Sequence, residues 1–265
     1  MTLLVSLGPR LQTVASYVPK GASLGDIGTD HAYLPIALYD TRRILKAVAI
    51  DVHEGPYQSA LAAVKARHLE AVIDVRFGDG LMPLKSGEVN VLTLAGMGGK
   101  TMLDILFARP DVLEPVQDLI LQPQGAERAV RLALIGAGWR LKTEKLVEED
   151  DRIYVVMAYS KDYGWDGAEL QTLERKWNQR LHPFLENGSI LAAGFQSLVQ
   201  KLVWHFGPLV LEDQTDLLIR YMNEHSSMLT RRMEQMKKSN NLEIMDKIRE
   251  VSEEIVLVEG LQRWQ

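Results

Sequence analysis

Several glycine- and aspartate-rich stretches of this sequence have the residue types that bind a nucleotide-like ligand. The first, residues 25–35, follows an apolar strand pattern and precedes a helical pattern. A strand that passes through glycine into a helix presents backbone N–H groups and the positive end of a helix dipole to a ligand. The spacing is not the full dinucleotide fingerprint, because Asp30 and His31 stand where further glycines would be. The stretch therefore predicts a nucleotide-type pocket without specifying the nucleotide.

Two further aspartates follow predicted strands. Asp51 lies about 20 residues beyond the glycine turn, where a carboxylate can accept both hydroxyls of a ribose. Asp79 stands between Gly78 and Gly80 and can accept from the exocyclic amine of an adenine. Each has a simpler alternative, because acids often end strands and Gly-Asp-Gly is often only a turn.

A third glycine-rich stretch, residues 96–101, reads Gly-Met-Gly-Gly-Lys-Thr and shares its last three residues with the phosphate-binding loop of NTPases. That loop requires a glycine five positions before Gly99, and Leu94 stands there, inside a strand pattern. The stretch also follows the fourth predicted strand instead of the first. We therefore favour a turn that lets a planar ligand approach the backbone and keep the NTPase as a rival.

The elements that must position these stretches alternate between strand and helix patterns. Five apolar strands are separated by helical segments, and two further strand patterns, 139–148 and 152–160, follow with only three residues between them. This order predicts an α/β fold with a doubly wound, mostly parallel sheet and a C-terminal antiparallel strand hairpin. Because ligands bind beyond the carboxyl ends of parallel strands, one crevice should collect all the stretches above, together with Gln122 and Pro123 after the fifth strand.

The remainder of the chain changes to helix-forming residues. Apolar stripes at helical spacing in residues 212–238 and 242–259 predict an antiparallel helical hairpin joined at residues 239–241. We therefore expect two domains, a ligand-binding domain at residues 1–161 and a helical domain at residues 162–265.

Composition limits the class of protein further. Of the 265 residues, 46% are hydrophobic and 25% charged, which is typical of a globular protein, and no apolar run approaches the length of a membrane span. The absence of cysteine excludes disulfides, thiolate metal sites and cysteine nucleophiles. The apolar residues 2–7 are too short for a signal-peptide core, and we expect a cytoplasmic protein. The net charge of −5 argues against a globally basic nucleic-acid-binding coat but allows a local patch.

Taken together, five stretches resemble the TrmK family of bacterial methyltransferases, which use S-adenosylmethionine to modify N1 of the adenine at position 22 of tRNA. The stretches are residues 10–15, 26–35, 78–81, 95–99 and 119–123. The similarity covers about residues 10–160, and beyond it residues 206–209 and the terminal helical hairpin also resemble the family. The resemblance implies a Rossmann-like class I methyltransferase fold followed by a helical, coiled-coil-like domain that helps to bind tRNA.

The resemblance also implies roles for the cofactor-binding residues. The residues expected to contact the methionine part of S-adenosylmethionine are Asp26, Gly28 and Asp30. Asp51 is expected to bind its ribose, and Gly78 and Asp79 its adenine. The residues expected at the junction between cofactor and target base are Gly96, Met97 and Gly98. Family members often have glutamate at the ribose position, so Asp51 has a slightly shorter reach.

Methyl transfer to adenine N1 demands little acid–base chemistry, because N1 already has a lone pair. Positioning of the two reactants can lower the activation barrier by about 7–11 kcal/mol. We expect no metal. The product adenine is positively charged, so a nearby carboxylate would stabilise it, and Asp30 is our candidate. His31 and Tyr33 are expected to orient the base, and Gln122 to hydrogen-bond its edge beside Pro123. Each has a structural alternative, namely capping and packing of the first helix or ending a strand.

The expected partner is tRNA, and we favour a monomer. Basic residues that could contact its phosphates are Arg10, Arg42, Arg43, Lys46, Arg231, Arg232, Lys237 and Lys238. Two alternatives stay open, a methyltransferase that acts on another RNA or a small molecule, and a non-catalytic nucleotide-binding scaffold protein.

Overall fold

The computed structural model describes residues 5–186, 190–238 and 244–264. The chain divides into two compact units, Met1–Asp166 and Gly167–Gln265. Residues 162–166 belong to the first unit because Leu141 and Trp165 exchange two backbone hydrogen bonds of 2.9 Å. The division therefore falls slightly later than the boundary expected from composition.

In the described part of the first unit, seven strands form one sheet with helices on its faces. The strands are β1 (Ala22–Ile27), β2 (Ile44–Asp51), β3 (Ile73–Phe77), β4 (Val91–Met97), β5 (Asp118–Pro123), β6 (Arg140–Glu149) and β7 (Arg152–Ser160). The helices are α1 (Pro9–Tyr17), α2 (Tyr33–Asp40), α3 (Glu54–Ala66), α4 (Gly99–Ala108), α5 (Pro110–Leu113) and α6 (Glu127–Gly136).

The strand order is β3-β2-β1-β4-β5-β7-β6, with β1 to β5 parallel and β7 antiparallel to both of its neighbours. The doubly wound sheet with its antiparallel strand hairpin is thus confirmed. Because β1 lies between β2 and β4, the chain reverses its direction of winding there, and this reversal opens a crevice at the carboxyl ends of those strands.

Burial of the central strands explains their apolar sequences. Strand β5 is buried at every position, and β1 and β2 are buried along their carboxyl halves, as expected for parallel strands covered on both faces. Packing beside β4 is tight at Gly25, where an added methyl group would lie 2.7 Å from Leu92 Cδ2. The central strands are consequently a rigid support for the loops that follow them.

The helices and strands differ from the sequence predictions mainly at their ends, and no helix separates β3 from β4 at residues 78–90, all of which the structure describes. Strand β1 continues through Asp26 to Ile27, and α4 begins at Gly99 directly after the glycine turn. The short α5, between Pro110 and Leu113, was not predicted, because its four residues are too few to show a helical period.

The described part of the second unit is helical. Its helices are α7 (Gly167–Leu181), α8 (Pro183–Glu186), α9 (Ala192–Phe206), α10 (Asp216–Lys237) and α11 (Ile244–Gln262), with a 3₁₀ turn at Val210–Glu212. Thr215 caps α10 by accepting a 3.2 Å hydrogen bond from the Leu218 backbone. No helix among the described residues is both long and apolar enough to cross a membrane.

Helices α10 and α11 pack as the predicted antiparallel pair. Asn223 in the first half of α10 contacts Gln262 at the end of α11, and His225 two residues later approaches Glu254. The expected joint at residues 239–241 lies outside the described residues. Glu254 is buried, which the apolar stripe of α11 did not predict. Burial alone would raise the pKa of its carboxyl group. Hydrogen bonds from His225 and Lys201 outweigh that effect and lower the pKa.

Candidate active site

A cavity of about 340 Å³ lies at the carboxyl ends of β1 to β4. Four of the five strand ends expected to meet there do so, and α4 closes one side. The cavity is lined by Ile27, Gly28, Ile50, Asp51, Val52, His53, Gly78, Asp79, Gly80, Ala95, Gly96, Met97, Thr101 and Ile105.

The carboxylate of Asp51 is held in place at the end of β2. Its Oδ1 accepts a 2.9 Å hydrogen bond from the His53 backbone, and its Oδ2 accepts a 3.1 Å hydrogen bond from the Asp30 backbone. A carboxylate has about four acceptor positions, so about two stay available for a ligand. Asp51 is therefore a preoriented acceptor that suits a pair of neighbouring hydroxyl groups.

Asp26 is a buried structural centre beneath the cavity. Its two carboxylate oxygens accept 2.6 Å hydrogen bonds from the hydroxyls of Thr29 and Thr93. Burial raises the pKa of Asp26 above its ordinary value; the two hydroxyl hydrogen bonds oppose this shift, and the charge of Asp51 adds to it. Asp26 thus joins the turn after β1 to the middle of β4.

The two glycine turns after β1 and β4 face each other. Gly28 has φ +73°, and an added methyl group there would lie 2.8 Å from Met97 Cε. Gly96 has φ +81° and forms a β-bulge, since Ala95 pairs with Gln122 but Met97 pairs with Pro123. The space between Gly28 and Met97 is therefore the narrow part of the cavity. Gly98 is the N-cap residue of α4 and is exposed.

The loop after β3 carries Asp79 and is held by an arginine. Arg76 on β3 binds Glu88 through two hydrogen bonds of 2.9 and 2.6 Å and donates a further one of 2.8 Å to the Pro83 carbonyl. Gly78 donates to the Asp51 carbonyl, so the ends of β2 and β3 are joined. Asp79 lines the cavity with an exposed side chain.

Three of the residues expected at the target base, Asp30, His31 and Tyr33, lie on the surface, and the Asp30 backbone contacts Asp51. The Asp30 side chain is 70% exposed and has a left-handed backbone with φ +54°. The His31 ring stacks on Tyr33 with centroids 5.1 Å apart, and its Nε2 lies 3.6 Å from Asp30 Oδ1. These side chains form a surface group with one carboxylate and two stacked rings.

Gln122 and Pro123 are placed differently. Both are buried, and neither lines the cavity. The Gln122 amide binds the backbone of Gly96 and Pro123 and the side chain of Arg10. The structure therefore brings Gln122 to the underside of the glycine turn and not to its open face.

The expected phosphate-binding residues fall into separate groups. Arg42, Arg43 and Lys46 lie before or at the start of β2, at the sheet edge opposite the cavity, and Arg43 donates to the carbonyls of Ser16 and Val18. The guanidinium of Arg10 binds Glu149 and Gln122. The exposed basic residues at the end of α10 are Arg231, Arg232, Lys237 and Lys238.

Sequence reasoning missed several residues of the site. Thr93 had a detectable signal, because a hydroxyl residue in the middle of an apolar strand must find a buried partner. Val52 and His53 line the cavity next to Asp51, whereas Thr101 and Ile105 reach it from α4, one helical turn apart. The two α4 residues could be found only once the helix had been placed over the sheet. No three His, Asp or Glu side chains converge as metal ligands within the described ranges.

Comparison with known proteins agrees with this fold. Residues 7–157 match the model of the family described as a methyltransferase domain. The chain is also 40% identical over 169 residues to the tRNA (adenine(22)-N(1))-methyltransferase of Bacillus subtilis, a match that covers 63% of this chain and 71% of that protein. The chain therefore belongs to the methyltransferase-domain family and, within it, to the family of that tRNA methyltransferase.

Solved structures support the same relationship over both units. The crystal structure of the B. subtilis m1A22 tRNA methyltransferase TrmK matches with a TM-score of 0.76 and 29% identity, covering 97% of this chain and 99% of that one. The structure of M. capricolum TrmK in complex with S-adenosyl-homocysteine matches with a TM-score of 0.71 and 25% identity, covering 95% and 99% of the two chains.

Proposed function

We propose that this protein transfers the methyl group of S-adenosylmethionine to N1 of the adenine at position 22 of tRNA. The observation that carries the proposal is the cavity at the ends of β1 to β4. It places the carboxylates of Asp51 and Asp79 and two facing glycine turns in one space. The family relationship supports the same substrate and cofactor.

The residues of the cavity fit S-adenosylmethionine. The free acceptor positions of Asp51 suit the ribose hydroxyls, and Asp79 suits the exocyclic amine of the adenine. Gly28 has a left-handed backbone with φ +73° that favours glycine, and a side chain there would have to displace the Met97 methyl group at the cavity wall. We therefore infer that Gly28, Asp30 and the buried Asp26 shape the methionine end, while Gly78 supports the adenine end. Gly96, Met97 and Gly98 border the target base.

When bound, S-adenosylmethionine supplies an electrophilic methyl group, which forms a bond to the N1 lone pair while the bond to sulfur breaks and its electron pair stays on sulfur. The protein must hold the adenine in line with that group and exclude competing water. N1 lies on the Watson–Crick edge, so the base has to be unpaired or extruded first. The stacked rings of His31 and Tyr33 offer a surface on which such a base can stack.

Asp30 is the proposed catalytic carboxylate. Methylation leaves a positive charge on the adenine, and a carboxylate beside it stabilises that charge as it forms. In the free protein the Asp30 side chain faces water. We infer that bound tRNA covers it, which lowers the local dielectric and strengthens its effect.

We propose that α10 contributes to tRNA binding. Arg231 and Arg232 lie together on an exposed face that also includes Arg220, Asn223 and Ser227. Such a face contacts phosphates through charge, which makes affinity depend on salt concentration. Arg10 and Arg43 are engaged inside the protein, so we assign them no phosphate contact.

We further propose that the protein acts in the cytoplasm, where tRNA is modified, and that it does so as a monomer. A monomer of 29.8 kDa is expected in light scattering after size-exclusion chromatography. A mass of about twice that value would contradict the proposal.

The function is tested with radiolabelled S-adenosylmethionine and unmodified tRNA transcripts that differ only at position 22. Nucleoside analysis should find the label in 1-methyladenosine when adenine occupies position 22 and none when guanine does. Free adenosine should not be methylated, because recognition depends on the folded RNA.

Label in another nucleoside, or in the guanine-22 transcript, would redirect the search to another RNA position. No label despite normal cofactor binding would refute the proposed substrate. Preference for a nucleoside triphosphate over S-adenosylmethionine would instead support a nucleotide-binding scaffold.

A further inference from the structure

The bulge at Gly96 has a backbone N–H group without a partner in the strand ladder. Ala95 and Met97 pair with consecutive residues of β5, which leaves Gly96 as the extra residue. Its N–H donates to Gln122 Oε1 at 3.1 Å. A side chain of β5 thus replaces the missing backbone acceptor and stabilises the bulge.

The hydrogen bonds of the Gln122 side chain determine the orientation of its amide group. Oε1 accepts from two donors, the Gly96 N–H and Arg10 Nη1 at 2.8 Å, while Nε2 donates to the Pro123 carbonyl at 2.9 Å. Exchanging the oxygen and the nitrogen would place donors against donors. The side chain has no solvent exposure, so these contacts keep nearly their full strength.

Arg10 is in turn held by Glu149 at the end of β6. Arg10 Nε lies 3.0 Å from Glu149 Oε2, and the Arg10 backbone N–H donates to Oε1 at 3.2 Å. The guanidinium also lies 5.6 Å from the Tyr154 ring centroid. The first turn of α1 is therefore connected through Gln122 to the Gly96 bulge near the end of β4.

The consequence appears at Met97, which follows the bulge. Its carbonyl accepts from the Gln124 backbone at 2.9 Å, and its methyl group faces Gly28 across the narrow part of the cavity. A bulge rotates the side chain that follows it, so loss of the Gly96 contact would change where Met97 points.

We propose that Arg10 and Gln122 are positioning residues for methyl transfer, which hold the Gly96 bulge and thereby set Met97 at the junction of cofactor and target base. The expected effect of these residues on the reaction rate rests on the proposed function. This positioning role also replaces the roles that the sequence suggested, a base contact for Gln122 and a phosphate contact for Arg10.

The kinetic test uses R10L and Q122L, with R67L as the matched control. The ion pair between Arg67 and Asp40 has a distance of 3.1 Å, and that between Arg10 and Glu149 one of 3.0 Å. The exposed fractions of the side chains are also alike, at 18% and 20% in the first pair and 20% for both residues of the second. R67L removes a similar ion pair, but Arg67 directly follows α3 and does not line the cavity.

R10L and Q122L should lower kcat by about 10- to 100-fold, the range expected when reacting groups are displaced by up to about 1 Å. Cofactor Kd and the KM for tRNA should change by less than about threefold. R67L should keep the wild-type kcat. Because the two residues act through one contact, the double variant R10L/Q122L should lose no more than about twofold beyond the worse single variant.

A second measurement does not depend on activity. Labelling the methionine methyl groups with ¹³C gives one NMR signal for each of the 10 methionines, and M97L assigns the Met97 signal. That signal should shift or broaden in R10L and Q122L and stay unchanged in R67L. If R10L fails to fold, E149Q takes its place and should shift the same signal by a smaller amount.

Several results would overturn the proposal. A raised KM for tRNA with unchanged kcat in R10L would make Arg10 a phosphate contact. An equal loss of kcat in R67L would show that the effect comes from a general loss of stability. An unchanged Met97 signal in both folded variants would show that Arg10 and Gln122 do not position Met97. Wild-type protein that lacks methyltransferase activity would refute the proposed function, while the NMR comparison would still test the positioning.

Discussion

Replacement of Asp51 by asparagine tests the proposed cofactor site most directly. The amide matches the carboxylate in shape, but one of its two ends is an NH₂ group that cannot accept a hydrogen bond. In the native protein both oxygens accept from backbone N–H groups, those of His53 and Asp30. In the variant one of these donors therefore faces another donor, and a ribose hydroxyl loses its acceptor.

The size of the effect follows from these contacts. A hydrogen bond to a charged group contributes about 1.5–3 kcal/mol, and the variant loses one such bond and the charge that strengthens the other. A total near 3 kcal/mol corresponds to roughly 100-fold weaker cofactor binding. Folding should be affected less, because the lost backbone contact lies at the edge of an open cavity.

Isothermal titration calorimetry with S-adenosylmethionine and S-adenosylhomocysteine provides the assay. Asp51→Asn should weaken both ligands by the same factor, because both contain the ribose. A larger loss for S-adenosylmethionine alone would show that Asp51 acts through the positive sulfonium and not through the hydroxyls. Asp40→Asn removes a carboxylate that does not line the cavity, and this variant should bind both ligands normally.

A dissociation constant within about threefold of the wild-type value would refute the assignment of Asp51 to the ribose. Thermal unfolding followed by circular dichroism must show that the variant is folded at the titration temperature. An unfolded variant would be replaced by Asp51→Glu, which keeps the charge and should bind more tightly than Asp51→Asn.

Three further predictions concern pH, the buried core and RNA binding. Arg76 lowers the pKa of Glu88 from 4.5 to about 2, so the pair stabilises the protein fully above pH 4.5 and loses that contribution as the pH falls towards 2. In urea unfolding, Glu88→Gln should cost up to about 3 kcal/mol at pH 7, with the difference from wild type shrinking between pH 4.5 and 2; a constant difference would contradict this. Arg131→Met should cost about 3–5 kcal/mol, because it leaves Glu144 buried without its 2.7 Å ion pair, and adding Glu144→Leu should restore much of the loss in the same assay. Arg231→Glu should weaken tRNA binding several-fold in filter-binding assays, less so at high salt, with cofactor affinity unchanged; equal affinity would exclude this face from docking.

Local sequence signals were sufficient to predict the order of strands and helices in the first unit and the position of the candidate cavity. Apolar strand patterns that end in glycine or aspartate are local signals, and parallel strands bring their carboxyl ends to one edge wherever they lie in the sheet. Asp51 and the Gly78–Gly80 turn could therefore be placed together without knowledge of the strand order. The antiparallel pairing of α10 and α11 was likewise predictable from two apolar stripes and a short connection.

The contacts between residues far apart in the chain could not be predicted before the fold was known. Arg10 lies 139 positions from Glu149 and 112 from Gln122, and no local period or turn signal connects them. Gln122 was predicted at the base edge because it ends a strand, but its buried amide binds the Gly96 bulge beneath the cavity. Which polar groups pair is determined by the need to satisfy every buried donor and acceptor, and that requirement arises only when the sheet has assembled.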